Sequence, residues 1–139
     1  MDTISELLET AQTIAVVGLS DQPDRSSYGV AEYLQGIGYR IIPVNPNITE
    51  WKGIPAVASL KDVDMPVDIV DIFRQPEHVP PHVDEAIEIG ARAVWMQQGI
   101  RHDEAARKAE AAGLVVVQDR CLALEHAKRR REIGKEGAW

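Results

Sequence analysis

Cysteine is nearly absent: Cys121 stands alone among 139 residues, so no internal disulfide can form and a reducing, cytoplasmic setting is expected. Long apolar runs are missing too. The longest are far too short to span a bilayer, and Met1–Glu6 lacks the charged-then-apolar pattern of a signal peptide, so neither a membrane contact nor a targeting segment is expected. Positive charge is also in short supply. Fifteen lysines and arginines against 22 carboxylates leave a formal net charge of −7, which excludes a nucleic-acid binder held by bulk electrostatics. An anionic ligand would have to be held locally, by backbone amides, a helix N-terminus or well-placed arginines. Repeats and low-complexity stretches do not occur.

What remains is an ordinary globular composition, 45% hydrophobic and 27% charged. The length fits one domain, read as residues 1–133 followed by a loose tail over 134–139, and a core of that size needs no disulfide or metal staple. Thr3-Ile4-Ser5-Glu6 reads as a capping box opening a short helix to about Ala11. Thr13–Gly18 is an apolar, β-branched run closed by glycine, hence a buried strand, and Leu19–Ser27 is a loop containing Pro23. A helix follows with Ser27 as N-cap, Val30, Leu34 and Ile37 on its apolar face, and Gly38 beyond its end. Tyr39–Val44 is the second strand, stopped by Asn45-Pro46-Asn47; residues 45–66 are loop-rich, with a short edge strand near Pro55–Ala58.

Val67–Phe73 is the third main strand, and Pro80-Pro81 opens a helix that buries Val83, Ala86, Ile87 and Gly90. Ala93–Met96 is a strand, Arg101–Gly113 a helix with a small-residue face of Ala105, Ala109 and Ala112, and Leu114–Val117 the last strand. A final helix runs from about Cys121 to Arg131, its cationic end Lys128–Arg131 complementing the helix dipole. Strands alternating with helices imply a three-layer, Rossmann-like, doubly wound parallel sheet of five main strands, with the short edge strand in addition. Ligands of such sheets bind at the carboxyl ends of the strands, where strand order reverses. Five segments therefore matter: Gly18–Tyr28, Asn45–Asn47, Phe73–Gln75, Gln97–Ile100 and Asp119–Cys121.

The first of these departs from a dinucleotide loop. That loop needs three glycines; here only Gly18 is present, with Ser20 in place of the second and Pro23 in place of the third. At the end of the second strand, where an NAD site wants a carboxylate for the ribose, the chain has Val44-Asn45-Pro46 and no acid until Glu50. A nicotinamide cofactor is disfavoured. An anion site survives, from the hydroxyls of Ser20, Ser26 and Ser27, the backbone at Gly18, a helix N-terminus and Arg25. Serines that merely cap a helix and settle a turn would give the same pattern.

Taken in order, Gly18-Leu19-Ser20, Ser27-Tyr28-Gly29-Val30-Ala31, Pro43-Val44-Asn45-Pro46, Val67–Arg74, Trp95–Ile100, and Asp119-Arg120-Cys121 with Glu125-His126 resemble the stand-alone CoA-binding protein family. That family is similar in fold to the N-terminal domain of the succinyl-CoA synthetase α subunit. The resemblance covers nearly the whole chain. It implies a protein that binds coenzyme A or an acyl-CoA as its small-molecule ligand, as a non-catalytic or regulatory module. It implies Gly18, Ser20, Ser27 and Tyr28 at the pyrophosphate, Val44, Asn45 and Pro46 on the adenosine side, and Phe73 and Arg74 at adenine or phosphate. Gln97, Gly99 and Ile100 would line the pantetheine path, with Arg25 or Lys52 reaching the 3′-phosphate. The synthetase α subunit carries its phosphorylated histidine in a glycine-rich loop of a second domain. None of His78, His82, His102 or His126 has such neighbours. The alternatives are a ligase-like component acting with a partner chain and an NAD(P)-type redox sensor.

Three further features bear on the chemistry. His78 and His82 have i, i+4 spacing, but Pro80-Pro81 separate them and no metal site is expected. Asp68 and Asp71 fall on opposite faces of a strand and cannot form an acid–base pair; no catalytic constellation is visible. Cys121 lies beside Arg120 at the start of a helix, where thiols become reactive, which would suit a mixed disulfide with the CoA thiol or a redox sensor. A small residue filling a helix start is the plainer reading.

Overall fold

A computed structural model describes residues 2–136. Its main sheet is built from β1 (Thr13–Val17), β2 (Arg40–Val44), β5 (Ile69–Ile72), β6 (Ala93–Met96) and β7 (Val115–Val117). The strands lie in the order β2-β1-β5-β6-β7, every pairing parallel. The chain moves outward from β1 to β2 and then returns to β1's other side with β5, so the reversal of direction falls between β1 and β5. This is the three-layer, Rossmann-like architecture that the alternation of strands and helices predicts.

Side-chain alternation along each strand feeds two cores. On one face Ala15, Val17, Val70, Ile72, Val94 and Met96 pack under α3 (Val79–Glu88) and α4 (Asp103–Ala111). On the other, Ile14, Val16, Ile69 and Trp95 pack under α1 (Thr3–Thr10), α2 (Ser26–Gly36) and α5 (Leu122–Glu136). Ala105, Ala106 and Ala109 let α4 sit close to the sheet; Ala106 takes the place expected for Ala112, which is exposed.

Several boundaries differ for identifiable reasons. Asp2, not Thr3, caps α1, because its carboxylate accepts from the Ser5 amide at 2.8 Å. Ser27 is not the cap of α2. The helix begins at Ser26, and the Ser27 hydroxyl is taken by the preceding loop, accepting from Ser20 N at 3.0 Å. Buried Ala31 and Leu34 form the core face of α2, while Val30 and Ile37 are only half-buried. Gly90 lies beyond α3 at φ +74° and is exposed, and Ile87 is half-buried, so Val79, Val83 and Ala86 form that helix's core face. His102 caps α4, its ring accepting from Ala105 N, which shortens the expected helix at its start.

Instead of one edge strand at 55–58 there is a two-residue hairpin, β3 (Glu50–Trp51) against β4 (Ile54–Pro55), after which Val57 bridges to Val44. Helix α5 is assigned through Glu136, into the expected tail of 134–139, and residues 137–139 lie outside the described residues. Among the described residues no helix is long and apolar enough to cross a membrane.

Candidate functional site

At the carboxyl ends of β1 and β5 the backbone closes tightly. Gly18 donates its amide to Val44 O at 2.8 Å, and Phe73 donates to Val17 O at 2.9 Å. Gly18 adopts φ +84°, and a Cβ there would lie 2.5 Å from Phe73 O and 3.2 Å from Arg74 Cδ. Only glycine lets the two strand ends meet in this way. They form the floor of an open cleft of about 670 Å³ at the reversal of strand order.

One wall is the loop from Gly18 to α2. It is held by its own serines: Ser20 N donates to Ser27 Oγ, and Gln22 N donates to Ser20 Oγ, both at 3.0 Å. Both hydroxyls therefore act as acceptors and keep their protons to donate. Ser26 and Ser27 open α2, so their amides have no intrahelical acceptor, as anion sites at helix starts require. The opposite wall is Gln97–Ile100. Asp119, in the left-handed region at φ 56°, holds it by accepting from Gly99 N at 2.6 Å, and Asp119 N donates to Ile100 O. Gln97 is only 5% exposed; its Oε1 accepts from Leu122 N, the first amide of α5.

The charge in the cleft opposes that of the whole chain. Arg25 and Arg74 line it and, among the described residues, no carboxylate does, although the net charge is −7. Arg74 also helps to hold the His82 imidazole below its ordinary pKa, after burial, the larger cause. A larger hollow, about 890 Å³, follows the edge of β2 and the strand starts. Its lining sets Arg40 against Asp62 and Asp64 and includes none of the residues expected to bind ligand, so the smaller cleft is the better anion site.

The cleft gathers Gly18, Ser20, Arg25, Ser27, Phe73, Arg74, Gln97, Gly99, Ile100 and Cys121. Tyr28, Val44, Asn45 and Pro46 do not line it. Tyr28 packs edge-on against Trp51 of the hairpin, with ring centroids 5.6 Å apart. Val44 is buried in the core, Asn45 Nδ2 donates to Leu19 O, and Pro46 is exposed on the turn. Lys52 is bound to Glu32 at 3.1 Å and is absent from the cleft lining, which leaves Arg25 and Arg74 as its cations. The cleft is also lined by Gln22, Val30, Gln75, Pro76 and Gln98, to which the sequence assigns no ligand contact. Gln22, Gln75 and Gln98 fall within the strand-end segments; Val30 and Pro76 lie outside them. His78 and His82 share no metal cluster: His78 caps α3, and His82 Nδ1 faces Glu85 at 3.6 Å. Among the described residues no group of three or more metal-ligating side chains occurs.

One buried acid lies beneath this floor. Asp71 pairs in register with Val16 and Trp95, and both its oxygens are sealed without a hydrogen-bond partner among the described residues. Burial pushes its pKa well above the ordinary carboxylate range.

Residues 12–127 match the CoA binding domain family, across all five main strands. The chain belongs to that family. It is 46% identical over 124 residues to the uncharacterized protein YneT of Bacillus subtilis (strain 168), covering 89% of this chain and 92% of that one. A solved Thermus thermophilus protein, cell-free ID.343, superposes with a TM-score of 0.88 at 42% identity, over 92% of this chain and 98% of its own. The fold also recurs within a dinucleotide-forming acetyl-coenzyme A synthetase of Ca. Korarchaeum cryptofilum, solved with phosphate and ADP. There the TM-score is 0.72 at 24% identity, over 84% of this chain and 27% of that one.

The residues present fit a ligand of the family's kind. Gly18 supplies close backbone approach, the start of α2 offers amides and hydroxyl donors, and two arginines supply charge. Two buried side chains, Ser27 and Gln97, each keep a donor with no acceptor among the described residues.

Proposed function

We propose that this protein binds coenzyme A or an acyl-CoA in the cleft between Gly18 and Cys121, as a non-catalytic, regulatory module in the cytoplasm. One observation carries the reading. In a chain of net charge −7, the cleft at the reversal of strand order is lined by two arginines, a glycine-floored loop and the start of α2, with no carboxylate among the described residues. Family membership supports coenzyme A as that anion.

The pyrophosphate would lie over Gly18 against the amides of Ser26 and Ser27 and the Ser20 and Ser27 hydroxyls. Arg25 and Arg74 would take the remaining phosphate charge, and the pantetheine arm would run past Gln97, Gly99 and Ile100. Bound coenzyme A supplies a thiol that carries acyl groups; this chain's residues bind and orient it.

Thermal denaturation tests the reading. Ligand at ~100 times its dissociation constant adds about 2.7 kcal/mol of apparent stability, which raises Tm by several degrees at this chain length. Coenzyme A is expected to produce that shift and NADH none. A shift with NADH and none with coenzyme A would overturn the assignment.

A further inference from the structure

Cys121 is half-buried at the edge of the cleft, immediately before the first residue of α5. Its neighbour across the cleft wall is Gln97. The two are tied together, because Gln97 Oε1 accepts from Leu122 N at 3.1 Å. That bond fixes the carboxamide with its nitrogen turned the other way. Nε2 has no acceptor among the described residues, yet it is not among the polar atoms sealed in the core, so it opens on the cleft. A residue only 5% exposed that presents an unused donor to the cleft that Cys121 also lines points to a ligand with a carbonyl near a sulfur. The pantetheine arm is such a ligand: its last amide carbonyl is joined through the amide nitrogen and two methylenes to the terminal sulfur.

Resting on the coenzyme A reading above, we propose that Cys121 is a thiol-capture site, forming a mixed disulfide with a pantetheine-type ligand whose terminal amide carbonyl accepts from Gln97 Nε2. The step is thiol–disulfide exchange. The Cys121 sulfur, as thiolate, attacks one sulfur of a CoA disulfide and the S–S bond of that disulfide breaks. A Cys121–S–S–CoA bond forms, and the second CoA leaves as a thiolate that takes up the proton Cys121 gave up. One disulfide is consumed and one is made, so no further oxidant enters. The departing thiolate gains from the positive end of α5, at whose start Leu122 N donates to Gln97 and Glu125 N to Cys121 O. Arg120 does not compete for the site, since its side chain turns toward Glu125 at 4.0 Å.

The test uses the full chain, reduced and desalted, mixed with CoA disulfide at neutral pH and followed by intact-mass spectrometry without reductant. The expected product is a single CoA adduct on the Cys121 peptide, removed by dithiothreitol and absent from Cys121→Ser. Seating the ligand beside the thiol should make capture at least about tenfold faster than with glutathione disulfide at equal concentration. Excess desulfo-CoA, which lacks the thiol, should slow it. Gln97→Glu keeps an acceptor for Leu122 N and removes the free donor, and should slow capture without abolishing it.

Equal rates with glutathione disulfide, no protection by desulfo-CoA, or a disulfide-linked dimer as the only product would overturn the proposal. Desulfo-CoA separates its failure from that of the binding reading. If desulfo-CoA raises Tm in the wild type and in Cys121→Ser while CoA disulfide leaves no adduct, capture falls and binding stands. If neither effect occurs, both fall.

Discussion

Gly18 and Phe73 meet so closely that a methyl group on the first would lie 2.5 Å from the carbonyl oxygen of the second. The contact joins the last turn of β1 to the end of β5, and neither backbone can retreat, because Gly18 N is bound to Val44 O and Phe73 N to Val17 O. Gly18→Ala is therefore expected to cost at least ~2 kcal/mol, from left-handed strain and the backbone clash together, and to lower Tm by roughly 8 °C. Chemical denaturation monitored by circular dichroism measures it. Alanine tolerated at this position without loss would mean that the floor of the cleft is looser than described.

The two cleft arginines give a second expectation. Arg25 is exposed and Arg74 half-buried, and neither is in an ion pair among the described residues. Replacing either by alanine should weaken coenzyme A binding by about tenfold, equivalent to ~1.4 kcal/mol, with fold stability nearly unchanged. The loss should be larger at low ionic strength, where screening is weak. Titration calorimetry at two salt concentrations reads both effects. Lys52→Ala should leave affinity unchanged, because Lys52 is spent on Glu32.

Asp71 predicts a dependence of stability on pH. Burial raises its folded pKa, so the unfolded chain loses this proton at lower pH than the native one does. Its neutral-acid contribution is complete below the ordinary carboxylate pKa and is lost as pH rises toward the raised folded value, with a slope approaching ~1.4 kcal/mol per pH unit. Asp71→Asn removes the titrating group at nearly constant shape. The variant's Tm relative to wild type should climb steadily from pH 4 upward; a difference that does not vary with pH would refute the account.

Asp68, three residues earlier, behaves in the opposite way. Burial pushes its pKa up, but amide donation from Gln12 at 2.8 Å and Thr13 at 3.0 Å, with Arg92 beside it, outweighs burial and holds the pKa below the ordinary value. Its contribution is present above the unfolded pKa and is lost as pH falls through the folded one. Asp68→Ala leaves the Gln12 and Thr13 amides without this acceptor at the start of β1, and should cost ~1–3 kcal/mol near neutrality and less in acid. Ligand affinity should be unchanged, because Asp68 lies at the opposite end of the sheet from the cleft.

Periodicity made most of this architecture legible. Ala93–Met96 ends where its apolar run ends, and the strand-end segments after β1, β5, β6 and β7 do converge on one cleft. The segment after β2 does not, and the cause is tertiary. The hairpin at Glu50–Pro55 brings buried Trp51 against Tyr28 and draws Lys52 to Glu32, which removes both from the cleft. Nothing in the irregular run from 45 to 66 signals that packing. Ser27 was legible as a polar residue near a helix start, but a local preference could not tell that its hydroxyl would be claimed by Ser20 N. Asp119 was legible only as a position; its grip on Gly99 depends on a left-handed backbone that aspartate seldom adopts.

The seam between β1 and β5 has a consequence for dynamics. The two halves of the sheet, β2-β1 and β5-β6-β7, are joined through that one pair of strands, and the cleft sits astride it. A molecule seated there touches both halves and acts as a clasp. Occupancy should slow amide-proton exchange along Ile14–Val17 and Ile69–Ile72 well beyond the residues it contacts, while the outer edge of β7 continues to exchange at its own pace.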